Sequence, residues 1–115
     1  MNRSGVIPSL AAMLLHITGP TNNQEAALAE KVIVALWSLA YENPSNKDAI
    51  RECGAIPALV AVLDPEETPL AVAQKAGLTL WCLVRDSTCN QDAVREAGGI
   101  TVLCLILRRF VSAPI

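Results

Sequence analysis

Apolar residues along this chain follow a helical period in two long stretches, and short polar segments separate these stretches from the rest. In the long stretches, about 23–41 and 69–85, apolar residues cover most of the helix circumference, which is typical of a helix sandwiched between layers. Two shorter polar segments end at Gly54 and Gly98, and glycine suits the left-handed residue that follows a helix. The pattern therefore predicts an all-α protein.

The chain also repeats itself. Residues 34–63 placed on residues 78–107, an offset of 44, give 12 identities in 30 positions without a gap. A partial third copy opens the chain, because GVIPSL (5–10) is similar to GAIPAL (54–59) at an offset of 49, which predicts five extra residues near 17–23. A repeat of this period predicts stacked copies of one supersecondary unit.

Each copy is predicted to contain three helices. The short polar helices, near 46–52 and 90–96, are expected to begin after an N-cap, which is Ser45 in the first of them. Pro57 is expected at the first position of the second helix, which runs to about residue 63. Gly77 interrupts an otherwise apolar long helix, and we expect it to mark a close helix crossing.

One continuous run carries a family resemblance. NKDAIRECGAIPALVAVL, with ALWSLA before it and LTLWCLV and NQDAVREAGGI after it, resembles the armadillo repeat, whose pattern joins ALxNLA to GAIPxLVxLL. The resemblance implies a β-catenin-like or importin-α-like right-handed α-solenoid of three-helix repeats, about two and a half of them. Its implied division is an armadillo repeat over 5–53 that lacks a first helix and includes the start of the next, a repeat over 46–85, a partial repeat over 90–110 and a tail over 111–115.

The same resemblance implies a non-catalytic protein–protein interaction module that binds an extended peptide in a concave groove lined by the third helices. On such a helix, the positions seven and four before, at, and three after the ligand-binding Asn of the family share one face. Ser38 and Cys82 stand at the Asn position, so we expect weak capture of a peptide backbone. The groove candidates are Lys31, Val34, Ser38, Tyr41, Lys75, Leu78, Cys82 and Arg85.

Lys31 and Lys75 align at the repeat offset, so a groove that contains both is expected to prefer an acidic ligand segment. The alternative for these lysines is an ordinary solvated helix flank. Trp37 and Trp81 fall three residues from the corresponding groove positions, and we expect them to serve packing. A second functional hypothesis is a structural or self-associating segment of a larger armadillo scaffold, with contacts through ends that no repeat covers.

Composition limits the remaining functions. A formal net charge of −2 argues against nucleic-acid binding, and no apolar run is long enough to insert into a membrane. The four cysteines form no CxxC pair and the one histidine, His16, lies apart from them, so we expect no metal, no cofactor and no enzymatic activity. Cysteines in aliphatic helical segments favour reduced thiols and a cytoplasmic or nuclear protein.

Overall fold

The computed structural model describes residues 3–17, 23–64, 66 and 68–111 of the 115-residue chain. Within these residues the backbone forms α-helices and no strand, so the all-α prediction is confirmed. The seven helices are α1 (Arg3–Ile17), α2 (Asn23–Ala40), α3 (Pro44–Glu52), α4 (Ala55–Ala61), α5 (Leu70–Val84), α6 (Thr88–Glu96) and α7 (Gly99–Val111). Most of the expected insertion near 17–23 and residues 112–115 of the expected tail lie outside the described residues.

Helices that occupy the same place in successive copies pack on one another. The most extensive pair is α2 with α5, and α1 packs on α4, α3 on α6 and α4 on α7. This order is that of a solenoid-like stack. The right-handed twist of the stack and the repeat boundaries 5–53, 46–85 and 90–110 stay predictions.

The core between these layers is almost entirely aliphatic. Thr79 is a buried exception on α5, and its single hydroxyl proton is shared between the carbonyl oxygens of Lys75 (2.8 Å) and of Ile33 on α2 (3.3 Å). Apolar burial supplies the main driving force for folding, and a paired hydroxyl avoids the cost of a buried group without a partner. The largest fully buried aliphatic side chains are Ile7, Leu14, Ile33, Leu36, Ile50, Ile56, Leu59, Leu83, Val62 and Val72.

The short helices begin earlier than the sequence suggested. The N-cap of α3 is Asn43, whose side chain accepts a hydrogen bond from the Asn46 amide at 3.0 Å, so the Ser45 prediction is wrong. Pro44 follows at the first helical position, where its fixed φ suits the helix. The two predicted helix-ending glycines are confirmed, because Gly54 and Gly98 have φ values of 84° and 80°.

Two further expectations about individual residues are wrong. Gly54 is the N-cap of α4, so Pro57 is the third residue of that helix and not the first. Proline is accepted there because the first-turn amides have no partner within the helix. A Cβ built at Gly77 would meet no atom within 4 Å, so Gly77 marks open space and not a close helix crossing.

A buried asparagine links successive copies. Asn90 on α6 is fully buried, its Nδ2 donates to the Leu83 carbonyl at 2.7 Å, and its Oδ1 accepts from Arg51 Nη1 at 2.8 Å. The equivalent Asn46 donates to the Leu39 carbonyl at 2.8 Å, but its buried Oδ1 has no hydrogen-bond partner within the described residues. Arg51 thus joins α3 to α6 through a side-chain amide.

This difference gives a test of the Arg51 contact. Asn90→Ala is expected to lower the free energy of unfolding by about 2–4 kcal/mol, and Asn46→Ala by only about 1–2 kcal/mol, because only Asn90 also accepts from a guanidinium. Urea unfolding followed by circular dichroism measures both values. The double variant Asn90→Ala/Arg51→Met should lose less unfolding free energy than the sum of the losses of the two single variants. Equal losses for the two asparagines would contradict a stabilising role for Arg51.

Candidate functional site

The candidate groove residues lie on α2 and α5, which run parallel and adjacent. Their parallel alignment follows from the hydrogen bond between Thr79 and the Ile33 carbonyl and from the 3.7 Å separation of the Lys75 ammonium and the Glu30 carboxylate. On α2 the predicted face is largely accessible: Lys31, Ser38 and Tyr41 are exposed, and Val34 is half-buried.

On α5 the exposed face is rotated relative to the prediction. Leu78 and Arg85 are exposed and Lys75 is half-buried, but only 3% of Cys82 is exposed. In the C-terminal half of α5, with the C-cap included, the exposed residues are Leu78, Trp81 and Arg85, at spacings of three and four, which lie along one side of a helix. Cys82 therefore does not belong to the exposed face.

Trp81 is the residue that the sequence analysis missed. It is 54% exposed, and the guanidinium carbon of Arg85 lies 5.0 Å from its ring centroid, a cation–π geometry. The prediction that Trp81 serves packing is therefore wrong. Trp37, its equivalent, is half-buried, and its ring centroid lies 5.7 Å from that of Tyr41. The signal in the sequence is the spacing of four residues from Trp81 to Arg85 and from Trp37 to Tyr41.

The two lysines do not form an isolated positive strip. Lys75 pairs with Glu30 across the junction of α2 and α5. Lys31 is exposed beside the same carboxylate, in a shallow depression that Ala27 and Val34 also line. The Glu30 carboxylate reduces the local positive potential, so this surface does not offer the cationic groove that an acidic segment would need.

A polar cleft lies where α2 turns into α3 and α5 turns into α6. Its volume is about 390 Å³. Glu42 and Asp86 occupy equivalent turn positions with φ values of 51° and 56°, and Lys47 Nζ donates to the Arg85 carbonyl at 2.8 Å. The cleft contains both signs of charge. It is lined by Glu42, Asn43, Pro44, Lys47, Asp48, Cys82, Arg85, Asp86 and Ser87.

In the part of the chain that the structure describes, no three His, Cys, Asp or Glu side chains are grouped so that they could hold a metal ion. His16 lies exposed in the last turn of α1. None of the helices described has the length and apolar character that crossing a membrane requires.

Comparison with known proteins identifies a family that this chain matches. The family model described as the SIL1/FES1/HPBP1 C-terminal domain matches residues 7–113. No curated protein and no solved structure matches the chain. The match covers α1 from Ile7 and all the later helices.

This match corrects two predictions. The assignment to the armadillo repeat family is wrong, because the matching domain belongs to a nucleotide exchange factor family that is itself armadillo-like and helical. The prediction of a groove for an extended acidic peptide is also wrong, because this family acts on Hsp70 chaperones. A protein partner agrees with the family, whereas self-association and the absence of nucleic-acid binding stay predictions.

The exposure of Trp81 has a measurable consequence for stability. Trp81→Ala is expected to cost about 1–2 kcal/mol of unfolding free energy, less than the 3–5 kcal/mol typical of a buried tryptophan, because half of the ring is already in water. Leu80→Ala, one residue away but buried, should cost about 2–5 kcal/mol. Urea unfolding of the two variants compares them directly. A larger loss for Trp81→Ala would restore its packing role.

The burial of Cys82 can be tested by thiol alkylation. Cys89 and Cys104 are exposed and should react first with iodoacetamide, and Cys82 should react slowly. Burial also raises the pKa of the Cys53 thiol, so its reactive thiolate forms only at higher pH than for an exposed cysteine. Mass spectrometry of timed samples identifies the order, with the unfolded chain in urea as the control. Cys82 reacting as fast as Cys89 would contradict the orientation of α5.

Proposed function

We propose that this chain, which belongs to the SIL1/FES1/HPBP1 C-terminal domain family, is a non-catalytic module that binds an Hsp70 chaperone and promotes exchange of its nucleotide. The observation that carries the proposal is the family match over residues 7–113. The family consists of Hsp70 nucleotide exchange factors. The match includes α2 and α5, the helices that carry the exposed face described above.

Nucleotide exchange by a binding module requires no catalytic group on the module. A factor that binds the nucleotide-releasing conformation of its partner more tightly than the closed one shifts the population toward release. A preference of about 1.4 kcal/mol changes that ratio tenfold. The relevant chemistry is therefore that of an interface, and the exposed side chains of α2 and α5 supply suitable groups.

We assign the chaperone contact to the outer stripe, which we define as Tyr41, Leu78, Trp81 and Arg85. Tyrosine, tryptophan and arginine are the residue types that most often dominate binding energy at protein interfaces. The stripe is prearranged, since ring contacts link Trp81 to Arg85 and Tyr41 to Trp37. Prearranged side chains lose less entropy on binding, which favours a folded partner surface.

The twist of the stack also belongs to this proposal. A right-handed superhelix would place α2 and α5 along one continuous curved face. The support is indirect: the family is armadillo-like, and helices in equivalent positions pack on one another. Such a face would present Tyr41 and Arg85, which occupy equivalent positions in the two copies, to the same partner.

The test measures nucleotide release. Purified Hsp70 is loaded with a fluorescent ADP analogue, chased with unlabelled ATP, and the dissociation rate is recorded with increasing amounts of the chain. The chain should accelerate release, and combining Trp81→Ala with Arg85→Glu should reduce the acceleration at least about tenfold, as expected when interface anchors are lost. Arg108→Glu, an exposed charge reversal on α7, serves as the control and should retain the acceleration.

Two results would contradict this proposal. Absence of both binding and acceleration with a folded chain would remove the chaperone function. Acceleration that Arg108→Glu reduces as strongly as the double variant would leave the function in place but remove the outer stripe as its site. Circular dichroism of each variant establishes that the helices are intact.

A further inference from the structure

A second exposed surface lies between α5, α6 and α7. It is an open groove of about 370 Å³. Its lining is apolar except for Gln91, and two of its side chains, Trp81 and Ile100, are each 54% exposed. The lining residues are Gly77, Leu80, Trp81, Val84, Gln91, Val94, Ile100 and Leu103.

The internal repeat shows what covers such a groove. The residues 44 positions earlier belong to α2, α3 and α4, where α5 packs against α2 and α4, and α6 packs against α3 and α4. Ile100 is half in solvent, whereas its equivalent Ile56 is fully buried. The fully buried equivalents are Ile33, Leu36, Ala40, Ile50, Ile56 and Leu59. Within the described residues, the chain therefore has one groove of this type that α5 helps to cover and one that no described helix covers.

We propose that the groove between α5, α6 and α7 is a docking site for an α-helix of a partner protein that presents an apolar face like that of α5. The buried face of α5 has Val72, Ala76, Thr79 and Leu83 at spacings of four, three and four. Small and β-branched residues at these spacings let two helices approach closely along their length. This proposal does not depend on the chaperone function.

The first copy also indicates the direction of the docked helix. Lys47 Nζ donates to the carbonyl of Arg85, just after the C-terminal end of α5, where helix carbonyls lack partners within the helix. Gln91 is the equivalent of Lys47. Its side-chain amide donates to the Val84 carbonyl at 3.0 Å, which places Gln91 beside the C-terminal end of α5. The docked helix is thus parallel to α5, with its C-terminal end at Gln91.

One difference between the copies determines how large a side chain of the docked helix the groove can accept. The open groove has Gly77 where the occupied one has Ile33, and a Cβ at Gly77 would meet nothing within 4 Å. The open groove is consequently deeper at this point. In α5, the Thr79 hydroxyl lies 3.3 Å from the Ile33 backbone carbonyl oxygen, so Thr79 is beside the equivalent point of the occupied groove. A partner helix can place a larger apolar residue there, and Thr79→Leu in a peptide of this sequence should strengthen binding.

The experiment uses a synthetic peptide with the sequence of residues 68–86 as the probe, with Trp81→Phe and Cys82→Ser and a fluorescent label. The full chain carries Trp37→Phe, so that its tryptophan emission comes from Trp81. Fluorescence polarisation should give a micromolar-class Kd, and Trp81 emission should shift to shorter wavelength as the groove is covered. A scrambled peptide of the same composition is the peptide control.

Matched variants test the location. Ile100→Glu should weaken peptide binding at least about tenfold, because it places a charge in the apolar groove. Leu15→Glu, on α1, is the control: Leu15 is 52% exposed, compared with 54% for Ile100, and does not line the groove. It should leave the Kd unchanged. Circular dichroism establishes that both variants keep their helices.

Three outcomes would overturn the proposal. They are a Kd weaker than about 1 mM, binding that Ile100→Glu leaves intact, and equal binding of the scrambled peptide. A fourth concerns the occupant: light scattering that shows dimers of the chain, dissociated by Ile100→Glu and not by Leu15→Glu, would assign the groove to a second copy and not to a partner helix.

Discussion

The packing of α5 on α2 is the interaction on which the rest of this structure depends. Short helices are marginal in water by themselves, and most of their stability comes from burying an apolar face against a neighbour. Here the Thr79 hydroxyl of α5 contacts the Ile33 carbonyl of α2, and both helices bury apolar side chains, Leu36 on α2 and Val72 and Leu83 on α5 among them. The contact also aligns Lys75 with Glu30 and holds the two exposed faces parallel. The outer stripe follows this helix pair, and the open groove has α5 as one of its walls.

The three sides of α5 have different roles because each meets a different environment. One side is buried on α2, a second presents Leu78, Trp81 and Arg85 to solvent, and a third forms the wall of the open groove. Trp81 borders both exposed sides, so its ring is available to either partner. Arg85 does not line the groove, and Ile100 does not belong to the outer stripe, so Arg85→Glu alone and Ile100→Glu each alter one of the two surfaces.

Buried polar groups set the alignment of the copies. Apolar side chains tolerate small shifts between helices, whereas a buried amide must find its donors and acceptors at definite distances. Asn90 satisfies this requirement through the Leu83 carbonyl within its own copy and through Arg51 in the copy before. Asn46 makes only the first of these bonds within the described residues. The Arg51 contact therefore fixes how one copy aligns with the next, whereas the bonds from each asparagine to a leucine carbonyl lie within one copy.

The sequence by itself determined the helices and their repetition. Both long helices begin and end within one residue of the predicted limits, and Gly54 and Gly98 have the expected positive φ. Both results follow from the local sequence, because apolar periodicity and helix termination are local properties. The same apolar pattern did not separate the armadillo family from an armadillo-like exchange factor, since both need it to stack helices. Only the tertiary structure decided that Trp81 is exposed, Cys82 buried and Gly77 open. Those properties depend on how far α5 is rotated about its own axis, and that rotation is set by the side chains of α2 that it packs against.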